Sequence, residues 1–214
     1  MIPINNMDEL ESNLRGKDEC AVLLLLVQPT DEDASAFIDK FNYYHFEAGE
    51  DVTVFAGGYS QGDFRPIYRD ARKACSVDGN HWWFSEQCFV KFKNQLEKRI
   101  KWRYSGEPEI LILQRGTGKH SQLDFSNYVA IDVCQGLREG YIDSVPRLME
   151  ALIQASKNEV RAKRVMKQAT KLSSKKIADT ALRFVLEVSR CPASIKDVIS
   201  NRAFYRAANS RVGV

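Results

Sequence analysis

The spacing of apolar residues changes repeatedly along the chain, and each change marks an element. Ile2 and Ile4 alternate with Pro3 and Asn5, as in a short edge strand. Leu10 and Leu14 lie one turn apart behind Asn6, which predicts a capped helix over 7–14. Residues 21–27, Ala-Val-Leu-Leu-Leu-Leu-Val, are apolar without a break. An unbroken run of this length reads as a strand buried on both faces of a parallel sheet. Pro29 and Thr30 then open a helix with Asp31, Glu32 and Asp33 in its first turn, where the helix dipole favours acids. Phe37, Phe41 and Tyr44 follow at helical spacing. Val52–Phe55 is the next strand, closed by Gly57 and Gly58.

Residues 59–84 show no steady period and read as irregular. They contain Gly62, Pro66, Gly79 and the cluster Trp82-Trp83-Phe84. Ser85 then caps a helix with Phe89, Phe92, Leu96 and Ile100 on one face. Residues 109–113 and 128–133 are strands of a hairpin turned near Gly116-Thr117-Gly118. Ser144 and Pro146 start a helix with Leu148, Met149, Leu152 and Ile153 inward. Beyond Ser156, Ala162, Val165, Met166, Ala169 and Leu172 form a helical apolar stripe. A second helix carries Ile177, Ala178, Ala181, Leu182, Val185 and Leu186, and a last short one runs from a capping box at Ser194 through Phe204 and Tyr205.

Charge sharpens this layout. Residues 1–56 hold 3 Lys/Arg against 12 Asp/Glu, and residues 157–214 hold 14 against 4. The formal net charge of +3 hides this polarity. A split of this kind points to a charged partner, or to one end of the protein meeting the other. It also suggests two parts: an α/β domain over 1–156 with an irregular insert at about 57–84, and a basic helical extension over 157–214. The apolar runs are too short to span a bilayer, so no membrane contact is expected. Residues 1–6 lack the basic and apolar segments of a secretory signal, which makes the cytoplasm the expected compartment. The five cysteines, Cys20, Cys75, Cys88, Cys134 and Cys191, are widely spaced without a CxxC, and read as free thiols.

Three stretches carry a family likeness. Met7–Leu14 followed by Ala21–Leu25 resembles the entry helix and central strand of thioredoxins. Glu107-Pro108 leading into Glu109–Leu113 resembles the segment in which a cis-proline directly precedes the first hairpin strand. Arg115–Gly118 stands where that family turns its hairpin. Over residues 1–156 the chain is thus similar to the thioredoxin-like fold, a three-layer sandwich with a mixed central sheet flanked by helices. The resemblance places a catalytic CxxC just after the central strand, at a helix N-terminus that stabilises a thiolate. The matching stretch here, Pro29–Ala34, has no sulfur and three carboxylates. The resemblance therefore implies a redox-inactive binding or scaffold module.

Other chemistry is thinly supported. Gly116–Ser121 evokes a phosphate loop, but Leu113 stands where that motif needs glycine and His120 where it needs Ser or Thr. Cys75, His81 and Cys88 offer three zinc donors at spacings that fit no common pattern. Asp31, Glu32 and Asp33 suit a divalent metal or, more simply, a first helical turn. Trp82 and Trp83 suggest an aromatic patch for stacking or for a protein hot spot, against simple packing of the insert. The strongest candidate is a basic helical face built from Lys157, Arg161, Arg164, Lys167, Lys171 and Lys175. Seven basic residues and no acid lie over 161–176. Such a face tracks phosphates, meets an acidic protein surface, or is simply solvated. A second basic run, Lys91 to Arg103, accompanies it.

The expectation is a non-enzymatic interaction module without cofactor or metal, binding a protein partner or a second copy of itself through that face. The alternatives are a nucleic-acid-associated subunit using residues 157–176, and an enzyme with a site among the loops at 28–33, 57–63 and 115–121.

Overall fold

A computed structural model describes residues 1–15, 21–31, 33–49, 52–115, 123–169 and 205–207. Two sheets and six helices organise these residues. The main sheet contains β1 (Ile2–Ile4), β2 (Ala21–Leu26), β3 (Val52–Gly57), β7 (Glu109–Arg115), β8 (Leu123–Asp132) and β9 (Tyr205–Ala207). Its order is β1-β3-β2-β7-β8-β9. β1 and β2 run parallel to β3, whereas β7 is antiparallel to β2, β8 to β7 and β9 to β8. The sheet is therefore mixed, and the chain is an α/β protein.

β2 lies at the centre because it has no polar side chain to offer water. Every residue from Val22 to Val27 is fully buried. Two helical groups cover the sheet. Helix α1 (Met7–Leu14) packs with α4 (Glu86–Arg99), and α2 (Ala34–Ile38) and α3 (Phe41–Ala48) pack with α6 (Val145–Ala169). Asn6 caps α1 through its Oδ1, which accepts from the Glu9 amide at 2.8 Å. Ser85 caps α4 in the same way, with its Oγ accepting from the Cys88 amide at 3.1 Å. The inward stripes of α4 and α6 are those the periodicity predicts: Phe89, Phe92 and Leu96, and Leu148, Met149, Leu152 and Ile153, are buried.

Four local expectations change. Tyr205, expected in the last short helix, lies instead in β9, where its backbone pairs with Ile131 of β8 at the sheet edge. The helix after β2 starts at Ala34, not at Thr30, because the Asp31 carboxylate takes the Gln28 amide at 2.8 Å and closes a turn there. It also breaks at Asp39-Lys40 into α2 and α3, yet Phe37, Phe41 and Tyr44 all remain buried. Val133 belongs to a short helix, α5 (Val133–Arg138), capped by Asp132, and not to the preceding strand.

The stretch expected to be irregular holds a second, antiparallel sheet. β4 (Tyr59–Gln61), β5 (Arg72–Val77) and β6 (Asn80–Phe84) pair in the order β4-β6-β5. A register shift between Lys73 and Cys75 in β5 breaks the alternation that would have revealed the strand. The boundary expected after Ser156 falls inside α6, which runs on to Ala169. No helix among the described residues is long and apolar enough to cross a membrane.

The main sheet meets α4 at two glycines. A Cβ on Gly57 would stand 2.7 Å from the Phe92 ring, and one on Gly58 would stand 2.7 Å from Phe89 Cβ. Gly58 also has φ +85°, a conformation that side chains disfavour. Gly58→Ala should therefore cost about 3 kcal/mol in urea denaturation, from backbone strain and overpacking together. Gly62→Ala is the control, since Gly62 shares the positive φ (+82°) but has open space around its Cβ position. Its cost should be about 1 kcal/mol, and equal costs at both sites would refute the packing account.

Candidate functional site

The C-terminal end of β2 gathers side chains from four segments. The turn Gln28–Asp31 leaves the strand there and Asp33 precedes α2, Glu107 and Pro108 lead into β7, and α5 follows β8. The Pro108 carbonyl accepts from the Val133 amide at 3.1 Å, which ties α5 to the start of β7. The peptide bond before Pro108 is trans, like every other among the described residues. The Tyr59 hydroxyl donates to the Val27 carbonyl at 3.0 Å and fixes the last turn of the strand.

Carboxylates dominate this end. Asp31 is half-buried and its pKa is raised, first by burial and further by the nearby Glu107. Asp33 sits at the N-cap position of α2 but makes no capping bond. Its Oδ2 instead accepts from the Cys134 thiol at 3.2 Å. Burial, then this hydrogen bond and charge, push the Cys134 thiol up to about 12. Glu107 is held by Arg138 through two bonds of 3.0 and 2.8 Å, which lowers its pKa. A thiol beside Asp33 is thus kept protonated, the opposite of what nucleophilic sulfur needs.

A second surface lies where α3 meets α6. Lys157, the first residue of the expected basic face, is mostly buried, and its Nζ lies 3.5 Å from Glu47 Oε1 on α3. The Gln154 amide donates to the same Glu47 oxygen. The Tyr43 hydroxyl pairs with Glu150, which raises its pKa. Beside this polar seam stand Tyr43, 43% exposed, and Phe46, 63% exposed. His45 packs edge-on to Phe46 at 5.1 Å. Neither ring stands out in the sequence, because the inward series Phe37, Phe41 and Tyr44 carries the stronger helical period. Their signal was a second aromatic pair, three residues apart and out of phase with that series.

The remaining candidates separate. Arg161, Arg164 and Lys167 fall within α6 at four, seven and ten residues beyond Lys157. Lys171, Lys175 and the loop Gly116–Ser121 lie outside the described residues. Trp82 is buried against Phe41 and Tyr59, at 6.0 and 6.3 Å between ring centroids. Trp83 faces the other way, half-buried, with the Arg65 guanidinium 4.6 Å above its ring. The two tryptophans therefore form no common patch, as successive strand residues point to opposite faces. Cys88 donates to the Asn5 carbonyl at 3.5 Å, while the His81 ring nitrogens meet Ser76 at 2.9 Å and Lys73 at 3.2 Å. Among the described residues no group of three or more His, Cys, Asp or Glu is arranged to hold a metal ion.

The state of Cys134 is directly testable. Peptide-resolved alkylation at pH 8 should label it slowly in the folded protein. Asp33→Asn removes the second-largest cause of its raised pKa and should speed labelling, by about tenfold if the carboxylate accounts for one pKa unit. Unchanged labelling would mean that Asp33 does not control this thiol.

Comparison of the chain with protein-family models, with curated proteins and with solved structures finds no match.

Proposed function

We propose that this chain is a redox-inactive thioredoxin-like module that binds a protein partner or a second copy of itself. The order β1-β3-β2-β7-β8, with three parallel strands followed by an antiparallel pair, supports the thioredoxin-like reading. So does the placement of the Gln28–Asp31 turn, directly after the central strand and against the residues that precede β7. The trans Pro108 bond, the inserted sheet and α5 are departures from the expected pattern.

The observation that carries the functional reading is the chemistry of that turn. A redox site of this kind needs a depressed thiol pKa. Here the turn offers Asp31 and Asp33, and Cys134, the one thiol among the described residues that reaches it, is held protonated. Binding is then what remains for the fold to do, and α3 with α6 supplies a surface suited to it. Tyr43 and Phe46 are aromatic anchors of the type enriched at protein interfaces. In sequence, α6 continues from Lys157 into the basic series that ends at Lys175. The Lys157–Glu47 pair is an internal instance of the same charge complementarity. A partner, or a second copy, presenting acidic residues around an apolar pocket would satisfy both features.

Phe46→Asp places a charge in the middle of this surface without touching the core. Loss of a central anchor typically costs about 2 kcal/mol or more, so association should weaken by about 30-fold. Light scattering at low and high salt reads self-association, and affinity capture of the full chain from its own cells reads other partners. A wild-type chain that stays monomeric at both salts and captures the same proteins as Phe46→Asp would end this reading.

A further inference from the structure

The outer face of α4 presents a second, chemically different surface. The helix is fixed at its start and along its inner face. Ser85 caps it, Asp70 accepts from the Gln87 amide at 3.0 Å and from Ser85 Oγ at 2.8 Å, and Cys88, Phe89, Phe92 and Leu96 are buried beneath it. Gln87, Lys91, Asn94 and Lys98 are all exposed. At steps of four, three and four residues they form one stripe along the helix. Val90, 43% exposed, borders it, and exposed Lys101 extends it past the helix end.

This stripe has no carboxylate. The helix contains two acids, Glu86 and Glu97. Glu86 lies in the first turn, where the helix dipole stabilises it. Glu97 is engaged elsewhere: its Oε2 meets Lys93 at 3.6 Å and its Oε1 accepts from the Tyr104 amide at 2.9 Å. The neighbouring arginines are also occupied. Arg99 faces Glu11 at 3.8 Å, and Arg103 donates to the carbonyls of Glu97 and Trp102 at 2.9 and 2.8 Å. What remains facing outward is a row of ammonium and amide groups.

We propose that this face of α4 binds double-stranded nucleic acid along its phosphate backbone. Three considerations select that occupant. Protein interfaces are depleted in lysine at their centres and rely on aromatic anchors, whereas protein–DNA interfaces are rich in positive charge. Single strands are held largely by stacking on aromatic rings, and the stripe offers none. Lysine ammoniums and Asn or Gln amides are the groups that reach phosphates and groove edges of a duplex. Lys91 and Lys98 are separated by about 10 Å along the axis, a span of two to three phosphates on one strand. The face lies on the helical group containing α1 and α4, away from the α3–α6 seam, so it shares no residue with the surface proposed above.

The test is the salt dependence of binding to a labelled 25-base-pair duplex. Three lysine–phosphate contacts contribute a slope of about −2.7 in log affinity against log salt. Lys91→Gln, Lys98→Gln and Lys101→Gln combined should remove about that much of the slope, and the corresponding three Lys→Arg changes should restore it. The lysines are exposed, so an unchanged thermal midpoint shows that the fold is intact. Arg161→Gln, Arg164→Gln and Lys167→Gln combined should leave the α4 contribution in place. No duplex binding by the wild-type chain, a slope lost only with the α6 changes, or tighter binding to an acidic protein than to duplex would each overturn the proposal. Phe46→Asp should not alter duplex binding, which keeps this test separate from that of the α3–α6 surface.

Discussion

Everything in this fold is arranged around a strand that cannot touch water. Val22 to Val27 carry only aliphatic side chains, and all are fully buried. A strand with two apolar faces needs a layer on each side, and short helices alone supply little area. The chain answers with α1 and α4 in one group and α2, α3 and α6 in the other. Burying a single large aliphatic side chain is worth about 1.5–3 kcal/mol, so six in a row dominate any local preference nearby. This is why the Asp39-Lys40 break between α2 and α3 is tolerated. The break leaves Phe37, Phe41 and Tyr44 on the covering side.

The same constraint decides where polar chemistry can stand. With both sheet faces covered, functional groups are confined to strand ends and to the outer sides of helices. The end of β2 is one such place, and there the carboxylates of Asp31, Asp33 and Glu107 converge. The inserted sheet is bound to the core by alternate residues. Trp82 and Phe84 enter a run of rings from Phe41 through Tyr59, Phe84 and Phe89 to Tyr104. Trp102 closes the run by donating to the buried Glu109 carboxylate at 2.6 Å, at the first residue of β7. The buried Glu109 side chain at the sheet entrance is thereby hydrogen-bonded by the same aromatic chain that anchors the insert, and His81 and Trp83 are left outward.

The parts legible in sequence were those where one period runs undisturbed over several residues. Residues 21–27 needed no alternation, since a central strand is apolar throughout. Asn6 and Ser85 were readable as caps because capping is local and its partner lies three residues on. The 59–84 sheet was not readable. Its strands are short, Gly62, Pro66 and Gly79 interrupt it, and the shift at Lys73–Cys75 places two residues against one. The Asp31 turn was hidden for a different reason, because an acid before a helix caps or begins it in most contexts. Pairs such as Asp33 with Cys134 and Glu47 with Lys157 span more than a hundred residues. Only the fold brings them together.

Charge that looked like a division between the two ends of the chain becomes, in three dimensions, a matter of which cations are already spoken for. Lys157 is paired with Glu47, Lys93 with Glu97, and Arg138 with Glu107. Where such pairing is exposed, as between Arg138 and Glu107, it contributes at most about 1 kcal/mol to stability. Its greater effect is to cancel fields locally, leaving net positive potential only where no acid answers. On the proposed reading, the α3–α6 seam and the α4 stripe differ for this reason. The first joins aromatic rings to partly neutralised charge, which suits a protein surface whose own groups must be desolvated. The second keeps its ammoniums hydrated and unanswered, which suits a polyanion that releases counterions when it binds. The two surfaces belong to different helical groups and share no residue. On that proposal, a module of this kind holds its two unlike partners on separate helical groups.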